Sequence, residues 1–382
     1  MRAGWCVVLL GLAAAATADP GNPPPQIPAR AFLLIEAQTG TELAAHAADL
    51  RLPPASLTKL MTAYVLFTDL RAGRLRLDEP VTVSREAARL PGARMFLTAG
   101  ETVTVENLLQ GMLVQSGNDA TRALIEHVSG DQATFVARMN AESRRLGLTD
   151  THFVNAGGLH RPEHYSSARD LARLSVALRR DFPEHRHWFA QKFFTWAGIA
   201  QPNRNPLLRD STVDGLKTGH TEAAGFNLVA SSERDGMQLV AVVLGAGSES
   251  ERARGGRRLL DYGFRHFETR LVQRAAEPLR QLPLWQGERD EIALGVSEDL
   301  FVTLPRGGFE ALTREAQLPA TLVAPVARGQ PLGRLIVRYR NQPLGERRLI
   351  ALDTVAEGSL LKRTGDRLRR WWHGQGSAQA AP

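Results

Sequence analysis

Pro54-Ala55-Ser56-Leu57-Thr58-Lys59-Leu60-Met61-Thr62 sets a serine and a lysine three residues apart at the mouth of an apolar helix. Leu57, Leu60, Met61, Tyr64 and Val65 repeat at i, i+3, i+4, i+7 and i+8, the buried stripe of a helix. Pro53-Pro54 suits its entrance. Three residues make nearly one turn, so Ser56 and Lys59 share a face. A serine hydroxyl becomes a nucleophile when a base takes its proton, and an amine is that base only when neutral. The plainer alternative for Ser56 is a helix cap.

Two further motifs follow. Ser116-Gly117-Asn118 is the only Ser-x-Asn of the chain, and Lys217 opens its only Lys-Thr-Gly, Lys217-Thr218-Gly219. Singly, Ser116 reads as a cap and Lys217 as a strand-edge charge. Ser359-Leu360-Leu361-Lys362 shows how easily Ser-x-x-Lys arises. The basic residues carry a bias: of 47, all but Lys59, Lys192, Lys217 and Lys362 are arginine. Only an amine can lose its proton, so a lysine marks a place where a guanidinium cannot serve. If Lys217 converges on the cleft of Lys59, like-charge repulsion is expected to depress the Lys59 pKa.

In this order and spacing, the three motifs resemble the penicillin-binding protein and serine β-lactamase superfamily. Gln115-Ser116-Gly117-Asn118-Asp119-Ala120, Tyr165-Ser166-Ser167-Ala168-Arg169-Asp170 and Asp214-Gly215-Leu216-Lys217-Thr218-Gly219-His220-Thr221 narrow the likeness to low-molecular-mass D-alanyl-D-alanine carboxypeptidases. The resemblance implies an α/β fold, an antiparallel sheet between helical layers, with a small all-β C-terminal domain and a terminal amphipathic helix. It implies that Ser56 attacks the carbonyl between two D-alanines of a peptidoglycan pentapeptide, with Lys59 as general base and Ser116 relaying the proton to the leaving amine. Asn118, Lys217, Thr218, Gly219 and His220 would bind substrate, the backbone amides of Ser56 and His220 forming the oxyanion hole. Arg204 and Arg252 match positions that attract the substrate carboxylate. β-Lactams would acylate the same serine. No cofactor or metal is implied. A class A β-lactamase would need a Glu-x-x-Leu-Asn segment, which is missing. A D,D-endopeptidase uses the same motifs, and a non-catalytic envelope protein binding peptidoglycan or partners is the alternative of another class.

Outward from the motifs, Ala31 to Glu36 and Glu42 to Ala45 read as a hairpin, as do Gly225 to Ser232 and Met237 to Leu244. Helices are expected at about 105–115, 119–128, 132–146, 168–180 and 251–267. From 269 the pattern turns to short segments such as Phe301 to Leu304, Leu322 to Val326 and Arg334 to Tyr339, a small all-β domain. The expected organisation is a signal peptide over 1–18, a proline-rich lead-in over 19–30, a catalytic domain over 31–268, a β-rich domain over 269–352 and an amphipathic tail over 353–382.

Met1-Arg2, the apolar run from Trp5 to Ala15 and Ala16-Thr17-Ala18 support the signal peptide, an amphipathic first helix being the alternative. Cleavage would remove the sole cysteine, Cys6, and lower the net charge from +7 to +6. In the tail, Leu360, Leu361, Thr364, Leu368, Trp371 and Trp372 fall on one arc, with Lys362, Arg363, Arg367, Arg369 and Arg370 opposite. Residues 358–373 therefore read as a peripheral membrane contact, or as a helix packed on its own domain. The expected location is the periplasm, on the outer face of the inner membrane. His160 and His164 flank Pro162 without metal-ligand spacing, Gly245-Ala246-Gly247 lacks the third glycine of a dinucleotide loop, and only the short tail combines basic residues with aromatics, with export arguing against nucleic acid.

Overall fold

Every residue of Ala31–Glu36 (β1) is buried. Such a strand has no solvent face and must lie inside a sheet covered on both sides. In the computed structural model, which describes residues 23–376, it does. The partners of β1 are β2 (Glu42–His46), β3 (Val213–Thr221), β4 (Gly225–Arg234) and β5 (Met237–Ala246), in the order β2-β1-β5-β4-β3. Every pairing is antiparallel. Asp235 and Gly236, at φ 50° and 78°, make the tight turn between β4 and β5 that matches strand twist.

Alternation along the strands divides the core. Leu33, Ile35, Val229, Val240 and Val242 pack with Leu60, Leu171 and Leu174 from the helices α1 (Lys59–Arg71) and α4 (Ala168–Asp181). Between these in sequence lie α2 (Asn118–Ser129) and α3 (Gln132–Arg145). On the opposite face, Leu34 and Leu239 meet Gly263 of α5 (Glu249–His266). The expected helix over 105–115 is α-helical over Val105–Gln110 and widens into a π-turn over Gly111–Gln115.

A second compact unit begins at Phe267. Its strands are β6 (Phe267–Gln273), β7 (Arg280–Trp285), β8 (Glu291–Gly295), β9 (Leu300–Pro305), β10 (Leu312–Gln317), β11 (Leu322–Val323), β12 (Pro331–Tyr339) and β13 (Gln342–Ala351). Six form a sheet in the order β10-β12-β13-β8-β7-β11, and β6 pairs with β9. The strand expected over Leu322 to Val326 stops at Val323, ahead of Ala324-Pro325. Proline has no N–H to extend a ladder. Beyond β13, Val355 is fully buried and bridges to Val326. A last helix, α6 (Leu360–Gly376), follows. The expected signal segment and the side chains of Trp371 and Trp372 lie outside the described residues.

Candidate active site

Ser56 does not sit on α1 itself. It lies in a short 3-10 turn, Ala55–Thr58, that leads into α1 at Lys59. In a 3-10 turn residues three apart eclipse, so the Ser-x-x-Lys pair still shares a face. Ala55, at φ 50°, is left-handed, a conformation that cannot continue a helix. Lys59 Nζ lies 3.1 Å from Ser56 Oγ, 2.8 Å from Asn118 Oδ1 and 2.8 Å from the Gly157 carbonyl. The ammonium thus has a partner for each of its three hydrogens. Burial, and then the positive charge of Arg204, lower the Lys59 pKa to about 7, against the opposing influence of Asp119. The repulsion expected between the two lysines is present, but it falls on Lys217. That amine is held well below its ordinary value by burial first, then by Lys59, Arg204 and Arg252.

The second motif is shaped by its backbone. Ser116 is left-handed, at φ 69°, at the end of the π-turn, and α2 starts two residues later. Its Oγ is buried and has no hydrogen-bond partner among the described residues. An unpaired buried hydroxyl is costly and marks a group kept for something other than stability. Asn118 gives its oxygen to Lys59 and donates through Nδ2 to the Pro91 carbonyl at 2.7 Å. Asp119 is buried, and its carboxylate accepts from the amides of Met95, Phe96, Leu97 and Ala120. This fixes the loop carrying Pro91 against α2.

The third motif lies on the edge strand β3. Gly219 faces the first motif so closely that a Cβ there would stand 2.9 Å from the Pro54 carbonyl and 3.0 Å from Ser56 N. Only glycine lets the strand come this near. Lys217 and Thr218 are buried, and Lys217 Nζ donates to the Thr218 carbonyl at 3.2 Å. His220 is exposed and stacks on Phe226, with ring centroids 4.1 Å apart. Arg252 covers the same Phe226 ring at 5.9 Å and binds Glu249 at 3.0 Å. Arg204 is exposed, yet its charge is felt at Lys59, Lys217 and Arg252.

Ser56, Lys59 and Asn118 are therefore joined by direct bonds, and Gly219 abuts them. Arg204 acts through charge on Lys59, Lys217 and Arg252, Lys59 acts in the same way on Lys217, and Arg252 and His220 share Phe226. Ser116 Oγ bonds none of them. Sequence reasoning missed Gly157, whose contribution is a backbone carbonyl, and Asp119, whose signal was present in the Gln115 to Ala120 stretch. It also missed Arg179, buried on α4, which bonds Asp214 at 2.6 Å and Ser231 at 3.1 Å and so ties the start of β3 to the helical layer. The second Ser-x-x-Lys has a structural use: Ser359 Oγ accepts from Lys362 N, and Lys362 pairs with Asp290 at 2.8 Å.

Comparison with known proteins identifies the family and the fold. A family model described as D-alanyl-D-alanine carboxypeptidase matches residues 16–248, and one described as penicillin-binding protein 5, C-terminal domain, matches residues 267–357. The chain is 38% identical over 382 residues to the D-alanyl-D-alanine carboxypeptidase DacC of Escherichia coli K12, covering 98% of this chain and 96% of the relative. Penicillin-binding protein 5 from Haemophilus influenzae superposes with a TM-score of 0.83 at 38% identity, over 88% of this chain and 99% of that one. Penicillin-binding protein D2 from Listeria monocytogenes, in its ampicillin-bound form, superposes with a TM-score of 0.59 at 31% identity, over 64% of this chain and 100% of that one.

Proposed function

The chain belongs to the D-alanyl-D-alanine carboxypeptidase family, and from that premise we propose how its own residues carry the reaction of a serine-type carboxypeptidase. The observation that carries the reading is the environment of Lys59 Nζ. Two of its three partners, the Asn118 and Gly157 oxygens, can only accept. A neutral amine has two hydrogens, and these two oxygens claim both. The lone pair is then left facing Ser56 Oγ, the one partner that can donate. At a pKa of about 7 the neutral amine is well populated at neutral pH.

Lys59 takes the Ser56 proton as Oγ attacks the carbonyl of the penultimate D-alanine of a pentapeptide stem. The resulting oxyanion receives the Ser56 and His220 amides. As the intermediate collapses, the C–N bond breaks, and the leaving amine of the terminal D-alanine takes a proton through Ser116. Water then attacks the acyl-enzyme, with Lys59 again as base, and frees Ser56 and the shortened peptide. Lys217, Thr218, Arg204 and Arg252 offer cationic and hydroxyl partners to the terminal carboxylate, and Asn118 to the substrate amide. A β-lactam presents a strained amide beside a carboxylate and enters by the same route.

The catalytic assignment covers 31–266, two residues short of the expected boundary because β6 already opens at Phe267, and the unit from Phe267 is a β-rich accessory domain. The protein is exported to the periplasm and held at the inner membrane by residues 358–373. Leu360, Leu361 and Leu368 of α6 are 79%, 88% and 65% exposed, whereas Lys362 and Asp366 face inward to Asp290 and the Gln286 amide. A helix docked by its polar side and bare on its apolar side suits an interface. No helix among the described residues is long and apolar enough to cross a membrane.

The test is release of free D-alanine from a pentapeptide ending in D-alanyl-D-alanine, with Ser56→Ala as control. Release and fluorescent-penicillin labelling should both vanish in the folded variant. Labelling retained by Ser56→Ala would overturn the nucleophile. No release despite labelling at Ser56 would point to cross-linked substrate or a binding role.

A further inference from the structure

The Ala55 carbonyl terminates a buried hydrogen-bond chain that the scheme above leaves unused. Val154 N–H donates to His164 Nδ1 at 3.0 Å. An imidazole nitrogen that accepts carries no hydrogen, so the neutral ring holds its proton on Nε2. Nε2 stands 2.7 Å from Thr58 Oγ1. Thr58 accepts there and turns its own hydrogen to the Ala55 carbonyl, at 2.8 Å. The direction of every bond is thereby fixed, from amide to ring to hydroxyl to carbonyl. His164 and Thr58 are 2% and 1% exposed, so no solvent competes for these bonds. Burial first, and then the charges of His152 and His160, hold the His164 pKa at about 4, which keeps the ring neutral at ordinary pH.

The carbonyl at the end of this chain matters because of what lies across the same peptide bond. In a trans peptide the C=O and N–H point in opposite directions within one plane, so fixing the Ala55 carbonyl fixes the aim of the Ser56 amide. That amide is on the side where β3 approaches, 3.0 Å from the Cβ position of Gly219. Ala55, at φ 50°, occupies a conformation that a residue with a side chain adopts only when its surroundings hold it. The Thr58 hydroxyl grips the carbonyl, and Gly158, at φ 88°, presses on it so closely that any Cβ there would overlap the Ala55 oxygen.

We propose that His164 is a positioning residue for acylation: through Thr58 it locks the Ala55–Ser56 peptide plane, which aims the Ser56 amide at the developing oxyanion. This rests on Ser56 being the acylated residue. His164 touches no reacting atom. Its effect belongs on the chemical step and not on ligand affinity, because a misaimed amide loses its contact only as charge builds on the oxygen.

Stopped-flow acylation of the full protein by a fluorescent penicillin separates the dissociation constant of the first complex from the acylation rate constant. In His164→Phe the ring stays flat and apolar but neither nitrogen remains. Its acylation rate constant should fall about tenfold to a hundredfold, part of what losing an oxyanion donor costs, with the dissociation constant changed less than about threefold. His164→Gln offers an oxygen to Val154 and an NH2 to Thr58, and should recover the rate to within about threefold. Thr58→Val cuts the chain at its next link and should match His164→Phe. The double variant should be no slower than either single one, since the second cut removes nothing further. A folded His164→Phe that acylates within about twofold of the parent would overturn the proposal, as would additive losses in the double variant or a His164→Gln as slow as His164→Phe. Where His164→Phe does not fold, Thr58→Val decides by the same criteria, with Thr58→Ser as its rescue. Persistent labelling of Ser56→Ala would instead overturn the assignment of Ser56, so the two failures are distinct.

Discussion

Replacing Lys59 with methionine keeps an unbranched side chain one atom shorter and abolishes its titration, which exposes what that titration does to folding. On folding, Lys59 drops from its ordinary 10.5 to about 7, chiefly through burial. Between those values the unfolded chain keeps a proton here that the native chain sheds, so native stability rises with pH across the window and the contribution is lost as pH falls. The linkage relation puts the cost to the native state at roughly 4 kcal/mol at pH 7 and roughly 2 kcal/mol at pH 9. The parent should therefore gain about 2 kcal/mol on Lys59→Met between pH 7 and pH 9. The variant also loses the bonds to Asn118 and Gly157, but equally at both pH values, so they drop out of the comparison. Lys217 titrates in the same sense in both proteins. Loss of the neighbouring charge relieves part of its depression in the variant, which widens the difference. Urea titrations at the two pH values, followed through the transition of the catalytic unit, give the four free energies. A parent-to-variant difference that stays constant with pH to within about 0.5 kcal/mol would refute a depressed lysine at this position.

Three other outcomes follow from the same geometry. Acylation needs a neutral Lys59, so its rate should fall about tenfold per pH unit below the pKa; Arg204→Gln removes a charge that lowers that pKa and should move the acid limb to higher pH, a downward move counting against the reasoning. Asp119→Asn sets an NH2 against backbone amides that now donate to a carboxylate; it should cost more than about 2 kcal/mol in thermal unfolding and, since Asp119 raises the Lys59 pKa, shift the acid limb to lower pH, so that an unmoved Tm contradicts the loop-holding role. Ending the chain after Gly358 preserves the Val326 to Val355 bridge and removes α6, and should transfer the protein from membrane to soluble fractions, as should serine at Leu360, Leu361 and Leu368 together; an unchanged distribution in both would speak against attachment through this helix.

The elements around the site were legible because their signals are local. The apolar run Ala31 to Ile35 of β1, the Asp235-Gly236 turn and the i, i+3, i+4 stripe of α1 each follow from neighbours in sequence. Their convergence was not legible from spacing, since nothing in Ser116 or Lys217 says that either faces Ser56; it came from the resemblance. What escaped altogether is tertiary in nature. The Gly157 carbonyl is a backbone group with no residue signature. His164 drew notice only as a possible metal ligand beside His160, because its use depends on which ring nitrogen meets Val154. The turn at Ala55–Thr58 was read as helix because the apolar stripe continues through it, whereas the left-handed Ala55 that interrupts it is imposed by contacts from Gly158 and Thr58.

The arginine bias of the chain can now be given a physical reason at two positions. Of its four lysines, Lys192 is exposed and Lys362 pairs with Asp290, surface uses that an arginine could share. Lys59 and Lys217 are buried, and both have pKa values driven down. Buried arginines occur in the same unit, but they solve a different problem. Arg179 is held by Asp214 and Arg252 by Glu249, so each buried guanidinium is paired with an acid. Among the described residues Lys59 has no acid bonded to it, only two amide oxygens and a hydroxyl. A guanidinium there would stay charged and could never accept the Ser56 proton, whereas an amine short of a counter-ion lowers its pKa until losing the proton is nearly free at neutral pH. The absence of a partnered carboxylate at Nζ is thus what converts a buried cation into a base.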